Sequence, residues 1–200
     1  MTAGDAKALL RARMRAARDA VPAAERDAWS QRLAGHGVGA LRERAAGACV
    51  SLYWPMRSEA DPRPLAHALA ALGAELALPA FVGDRMEFRR WRHDDELRPA
   101  GFSTFEPLAT MPVVTPTLVL APLLAFDRRG GRLGWGKGYY DTFLGGLDAA
   151  AARAQGRRPF VVGIAFSCQE ADVVPCEPHD RLLDAVVTEL GYGACGVVDR

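Results

Sequence analysis

Residues 120–144 read LAPLLAFDRRGGRLGWGKGYYDTFL. The apolar start reads as a buried strand. It ends in the polar turn Asp127-Arg128-Arg129-Gly130-Gly131, after which Gly134, Gly136 and Gly138 alternate with Trp135 and Lys137. Tyr139, Tyr140 and Asp141 then lead into a helix. A strand, a glycine loop and a helix start make a natural anion site, because glycine lets the backbone come close and N–H groups at a helix N-terminus point at negative oxygens. Lys137 adds a point charge for phosphate. Asp141 adds a carboxylate able to hold the cation that accompanies a nucleotide. The pattern is not the common phosphate loop, since no Ser or Thr follows the lysine. It is not the dinucleotide fingerprint either, whose glycine spacing differs. A loop that needs glycine only for positive φ is the other reading of the same residues.

The flanking sequence supplies a sheet for this loop to sit on. Residues 117–121, 160–166 and 185–188 are continuous apolar runs, with a helix expected over 141–154. Such runs separated by helices argue for a parallel sheet covered on both faces. Further back, 5–20 reads as a helix, and Pro22 opens a second that runs to about residue 36. Residues 48–54 read as a strand closed by Pro55, 63–72 as a helix ended by Gly73, and 75–78 as a short strand before Pro79. Residues 86–91 alternate apolar and basic side chains, as a strand does. Residues 93–116, punctuated by Pro99, Gly101, Pro107, Pro112 and Pro116, read mostly as loop.

With 200 residues, 50% hydrophobic and 24% charged, the chain is expected to form a single domain over 1–200 with a full core. A net charge of +1 argues against a polyanion binder acting through bulk electrostatics. Cys49, Cys168, Cys176 and Cys195 show no CxxC pair and no metal-ligand spacing, so they read as reduced thiols. There is no apolar leader and no run long enough to span a membrane. The expectation is a soluble, cytoplasmic monomer with no nucleic-acid or membrane partner.

Several residues outside the glycine loop carry candidate chemistry. On the first helix Lys7, Arg11, Arg15 and Arg18 fall within about 80°, beside an apolar seam of Leu10, Met14, Ala17 and Val21. This basic stripe reads three ways: a solvated face, a nucleic-acid contact, or cations reaching phosphates held by the loop. Ligands of open α/β sheets sit outside the carboxyl ends of strands. Glu59 and Asp61, just past a strand end, are therefore candidates for polar ligand groups, and an ordinary acidic turn is the alternative. Trp54 and Phe102 either line a pocket for an aromatic ring or belong to the core. Asp184 opens an apolar run, and with Asp141 it is a candidate for Mg²⁺. His36, His67, His93 and His179 read as structural. No nucleophile motif is present.

The string from Phe126 to Asp141 closely resembles the signature of the 5-formyltetrahydrofolate cyclo-ligase family. Lys7 to Arg11, Trp54 to Glu59, Phe88 to Trp91, Glu106-Pro107 and Val174 to Asp184 resemble its other segments in order. The resemblance implies an α/β fold, a three-layer αβα sandwich with a mostly parallel, Rossmann-like sheet. It implies an ATP-dependent ligase that turns 5-formyltetrahydrofolate into 5,10-methenyltetrahydrofolate, with ATP as co-substrate and Mg²⁺ as cofactor. ATP maps onto Lys7, Arg11, Arg132, Leu133, Gly134, Trp135, Gly136, Lys137, Gly138, Tyr139 and Tyr140. The reduced folate maps onto Trp54, Glu59, Phe102, Trp135, Gly136, Lys137, Gly138 and Tyr139, and the metal onto Asp141 and Asp184. Lys137 and Arg132 are the expected catalytic cations, since phosphoryl transfer needs positioning and charge neutralisation more than a nucleophile.

Overall fold

The chain runs as α1 (Ala3–Asp19), α2 (Ala23–Ala45), β1 (Cys49–Ser51), α3 (Arg63–Ala70), β2 (Glu75–Val82), β3 (Arg85–Arg90), β4 (Leu97–Pro99), β5 (Phe105–Pro107), β6 (Val113–Val114), β7 (Leu118–Pro122), β8 (Ala125–Phe126), β9 (Arg132–Leu133), α4 (Tyr139–Arg153), β10 (Phe160–Ile164), β11 (Ala185–Thr188) and β12 (Gly191–Ala194) in the computed structural model, which describes residues 3–177 and 180–196. One sheet has the order β12-β11-β10-β7-β1-β2-β3-β6. Its middle, from β11 to β2, is parallel. The edges β12, β3 and β6 are antiparallel.

The continuous apolar strands follow from burial on both faces. In β7, Leu118 and Leu120 join the core under α2 and α3, together with Leu33, Leu41, Leu65 and Leu69. Val119 and Ala121 point the other way, into the core that holds Leu144 of α4. The sandwich is therefore three-layered, with α2 and α3 on one face and α4 on the other. Helix α1 lies apart from both layers. Its Met14, with Leu10 beside it, packs on Ala125, Leu133, Ala171 and Val174 of the β8–β9 region.

Some elements depart from the sequence reading. Helix α2 runs on past residue 36 because Gly37 is a contact rather than a stop: a Cβ there would meet Leu65 Cδ2 of α3 at 2.7 Å. Strand β2 passes through Pro79, which pairs with Phe88. The N–H of Phe81, two residues on, bonds Glu106 Oε2 at 3.0 Å, so Pro79 lacks its N–H on that same edge, where β1 has already ended. The expected strand over 48–54 stops at Ser51, and its continuation turns into the site described below. The proline-rich stretch 93–116 holds the β4–β5 pair and the edge strand β6. No described helix is long and apolar enough to cross a membrane.

Candidate active site at the carboxyl ends of the strands

Beyond β1 the chain folds into a tight turn closed from both sides. Met56 N–H donates to Glu59 Oε2 at 2.8 Å, and Glu59 N–H donates to the Met56 carbonyl at 3.0 Å. Tyr53 hydroxyl reaches the Ala60 carbonyl at 2.6 Å. Arg57, at the tip of the turn, takes φ +54°, a left-handed conformation uncommon outside glycine. The Glu59 carboxylate is thereby held inside the protein, 7% exposed. Burial pushes its pKa up, against the opposing pull of the Met56 N–H, the Trp135 indole N–H and the Arg18 cation.

The glycine loop meets this turn directly. Trp135 Nε1 donates to Glu59 Oε1 at 2.8 Å, across 76 residues of sequence. Three devices shape the loop. Asp127, 1% exposed, accepts from the N–H groups of Arg129 (2.9 Å), Gly131 (2.9 Å) and Val174 (2.8 Å). Burial alone would raise its pKa, but these bonds and the Arg129 side chain hold it below the usual carboxylate range. Next, the β8–β9 hairpin sets Arg132 inward, where its Nη2 meets Asp141 Oδ1 at 2.5 Å. Finally, Arg11 Nε donates to the Gly134 carbonyl at 3.0 Å, and its guanidinium lies against Gly136 (φ +94°), where a Cβ would come within 3.4 Å of Cζ. Gly138 (φ +70°) caps α4 and offers its first turn no side-chain acceptor. Lys137 is exposed and makes no hydrogen bond among the described residues.

The aromatic wall is partly where the sequence pointed. Trp54 is half-buried, edge-on to Phe105 at 5.2 Å, with Arg63 Cζ 4.7 Å from its ring. Tyr139 meets Phe81 at 4.9 Å. Asp61 is taken by the Arg63 guanidinium, closest at 2.6 Å. Tyr140 is packed at the base, with Arg132 Cζ 5.8 Å from its ring, and burial pushes its hydroxyl pKa well up. A cavity of about 370 Å³ opens beside Trp54, lined also by Arg63, His67, Trp91 and His93. The Phe102 side chain and His179 lie outside the described residues.

The structure places the expected metal residues and Lys7 in different surroundings. Asp141 and Asp184 stand at opposite ends of the sheet. Asp141 is in the first turn of α4, two residues past Tyr139, which touches Phe81 near the carboxyl end of β2. Asp184 is at the amino end of β11, where it accepts from Val161 N–H (2.8 Å), Arg181 (2.9 Å) and Arg158 (3.1 Å). The acidic start of that strand closes the fold at the far end of the sheet. Among the described residues no three His, Cys, Asp or Glu side chains form a group able to hold a metal. Lys7, in turn, is engaged by Glu177 (2.8 Å) and Asp180 (2.9 Å), which raise its pKa against the lowering effect of burial.

The sequence reading missed Arg18. It sits in the basic stripe but is 1% exposed and donates to Ser58 Oγ (3.1 Å) and the Leu123 carbonyl (3.4 Å). Its angular place, close to the apolar seam of α1, was the available signal. Arg15, farthest from the seam, is exposed.

Comparison with known proteins shows the family. The model of the 5-formyltetrahydrofolate cyclo-ligase family matches residues 3–189. A 5-formyltetrahydrofolate cyclo-ligase of Mycolicibacterium smegmatis is 32% identical over 192 residues, covering 91% of this chain and 93% of the relative. One from Haemophilus influenzae is 27% identical over 186 residues, covering 89% and 95%. Among solved structures, a 5,10-methenyltetrahydrofolate synthetase of Aquifex aeolicus superposes with a TM-score of 0.75 at 28% identity, covering 97% of this chain and 94% of that one. One from Mycoplasma pneumoniae shares the fold, with a TM-score of 0.71 at 23% identity and coverage of 92% and 98%. The chain is thus an enzyme, and it belongs to the 5-formyltetrahydrofolate cyclo-ligase family.

Proposed function

We propose that the enzyme converts 5-formyltetrahydrofolate and ATP into 5,10-methenyltetrahydrofolate, ADP and phosphate, with Mg²⁺ accompanying the nucleotide. The observation that carries this reading is the bond between Trp135 and Glu59, which joins the glycine loop to the turn beyond β1. A γ-phosphoryl group bound by the loop would stand next to a formyl group bound at that turn.

The chemistry requires that proximity. The N5-formyl group is amide-like and a poor electrophile. Its oxygen attacks the γ-phosphorus, the P–O bond to ADP breaks, and the formyl carbon becomes iminium-like. The N10 lone pair then attacks that carbon, N10 loses its proton, and the C–O bond breaks to release phosphate and leave the methenyl bridge. No protein nucleophile enters, so the work falls to positioning and charge. Lys137 and the N–H groups of Gly136 to Tyr139 cradle the transferring phosphoryl group. Arg11 backs the loop at Gly136, and Arg132 supports the start of α4 through Asp141. Lys7 and Arg11 complete the cationic flank on α1, while Leu133, Gly134 and Tyr140 shape the nucleotide cleft.

At the turn, Glu59 keeps acceptor capacity beyond its two bonds, since a carboxylate has about four lone-pair sites. It suits the N–H donors of a pterin ring, with Trp135 bonded to it and Trp54 and Tyr139 as further aromatic contacts of the folate. Asp141, part-exposed in the first turn of α4, fits a Mg²⁺ ligand beside phosphate oxygens; Asp184, enclosed by its own cations, does not fit. When bound, Mg²⁺ supplies neutralisation of phosphate charge. The four free cysteines support a cytoplasmic setting.

The test is formation of methenyltetrahydrofolate, followed by its near-ultraviolet absorbance, with purified protein, ATP, Mg²⁺ and 5-formyltetrahydrofolate. The reading expects product only when ATP and Mg²⁺ are both present. Absence of product from folded, ATP-binding protein would reject it.

A further inference from the structure

Glu59 is a carboxylate that must stay charged inside the protein if it is to accept hydrogen bonds from a substrate. A buried carboxylate left alone takes up a proton. Two N–H donors help, but Met56 and Trp135 are neutral dipoles. The full charge comes from α1. Arg18 is the cation whose field acts on Glu59, and it is itself 1% exposed. Two of its three nitrogens are engaged. Nε holds Ser58 Oγ at 3.1 Å, and Ser58 hydroxyl donates to Asp19, so the turn before Glu59 is tied to the end of α1. Nη1 holds the Leu123 carbonyl at 3.4 Å, just past the end of β7. Arg18 Cζ stands 5.5 Å from the Trp135 ring centroid, and Arg57 Cζ stands 5.9 Å from the same ring. One side chain thus touches the turn that carries Glu59, the strand end beside it, and the glycine-loop tryptophan that bonds Glu59.

We infer that Arg18 is a positioning residue of this enzyme, the interior cation that fixes the Ser58–Glu59 turn and docks Trp135 of the glycine loop against it. The inference rests on reading Glu59 as the acceptor for the folate. Other groups facing Glu59 do not take over the role. Tyr53 from its own segment and Tyr140 from α4 are buried phenols whose pKa values burial drives upward, so they stay neutral. Asp19 is an anion, and Ser58 is directed to it. Arg57 is exposed, its charge weakened by water.

The test compares Arg18→Met, Arg18→Lys, Glu59→Gln and the double variant Arg18→Met/Glu59→Gln, each confirmed folded by circular dichroism. Removing the cation raises the pKa of Glu59, so the acid limb of kcat/KM for the formylated folate moves to higher pH. The expected shift in Arg18→Met is about one unit or more, with KM for the folate rising more than KM for ATP. Arg18→Lys keeps the charge and holds the acid limb near that of the wild type even where the Ser58 bond is lost. The double variant is expected to be no worse than Glu59→Gln alone, since both remove the same function. If Arg18→Met folds poorly, Arg18→Lys against Glu59→Gln still decides: an acid limb displaced in Arg18→Lys overturns the inference. An unmoved acid limb in folded Arg18→Met, with Glu59→Gln impaired, overturns the role of Arg18 and leaves that of Glu59. An unimpaired Glu59→Gln overturns both.

Discussion

Lys137 and Asp127 illustrate two different jobs done by charged residues of one loop. Lys137 is exposed, so its removal costs the fold little. If it neutralises the transferring phosphoryl group, Lys137→Ala lowers kcat by about a hundredfold or more with the melting temperature unchanged. Steady-state kinetics with a thermal melt check both halves, and wild-type kcat would remove Lys137 from the mechanism. Asp127 instead builds the turn, with three backbone N–H groups and Arg129 converging on its carboxylate. Its folded pKa is depressed below the unfolded value of about 3.9, so its stabilisation is present above that pH and is lost as pH falls through the folded pKa. Asp127→Asn is therefore expected to lose about 1–3 kcal/mol at neutral pH. The gap to wild type in urea unfolding should close in acid; a gap independent of pH would contradict the assignment. Single residues were legible in the sequence when local spacing defined them, as with the positive φ of Gly136 and Gly138. Arg18 and Trp135 were not legible in their roles, because both depend on contacts with the turn before Glu59, 40 and 76 residues away.

Elements buried on both faces could be read well, because a continuous apolar run is a strong local signal: β7, β10 and β11 fall within a few residues of expectation. Elements defined by their neighbours could not. Pro79 looked like the end of a strand, and only the pairing with β3 and the early end of β1 show why it is tolerated. Helix α2 was expected to end near residue 36, yet Gly37 is where α3 approaches. Filling that contact with Gly37→Leu is expected to destabilise by about 1–3 kcal/mol through overpacking. Adding Leu65→Ala in the same chain should recover part of it, since Leu65 occupies the contested space. Urea midpoints measure both, and additive losses would show that the two side chains do not compete. The short pairs β4–β5 and β8–β9 and the edge β12 carry too few residues for a period to emerge.

At the scale of the whole molecule, the parallel sheet gathers a turn, a glycine loop and a helix from distant parts of the chain at one set of strand ends. Helix α1 locks them: Arg11 holds Gly134, and Arg18 holds Ser58 and Leu123. The near-neutral total charge means that attraction for an anionic nucleotide is local to this cluster rather than spread over the surface. The metal pairing expected from sequence draws on both ends of the sheet, since Asp184 serves the amino ends of the strands and Asp141 the other end. The central claim is that nucleotide and folate meet across the Trp135–Glu59 bond, so that phosphorus is transferred directly to the formyl oxygen. Turnover of 5-formyltetrahydrofolate labelled with ¹⁸O in the formyl group tests it most directly. The account predicts that each methenyltetrahydrofolate formed releases one ADP and one phosphate carrying the label. Phosphate drawing its fourth oxygen from water, or label retained outside the phosphate, would contradict it.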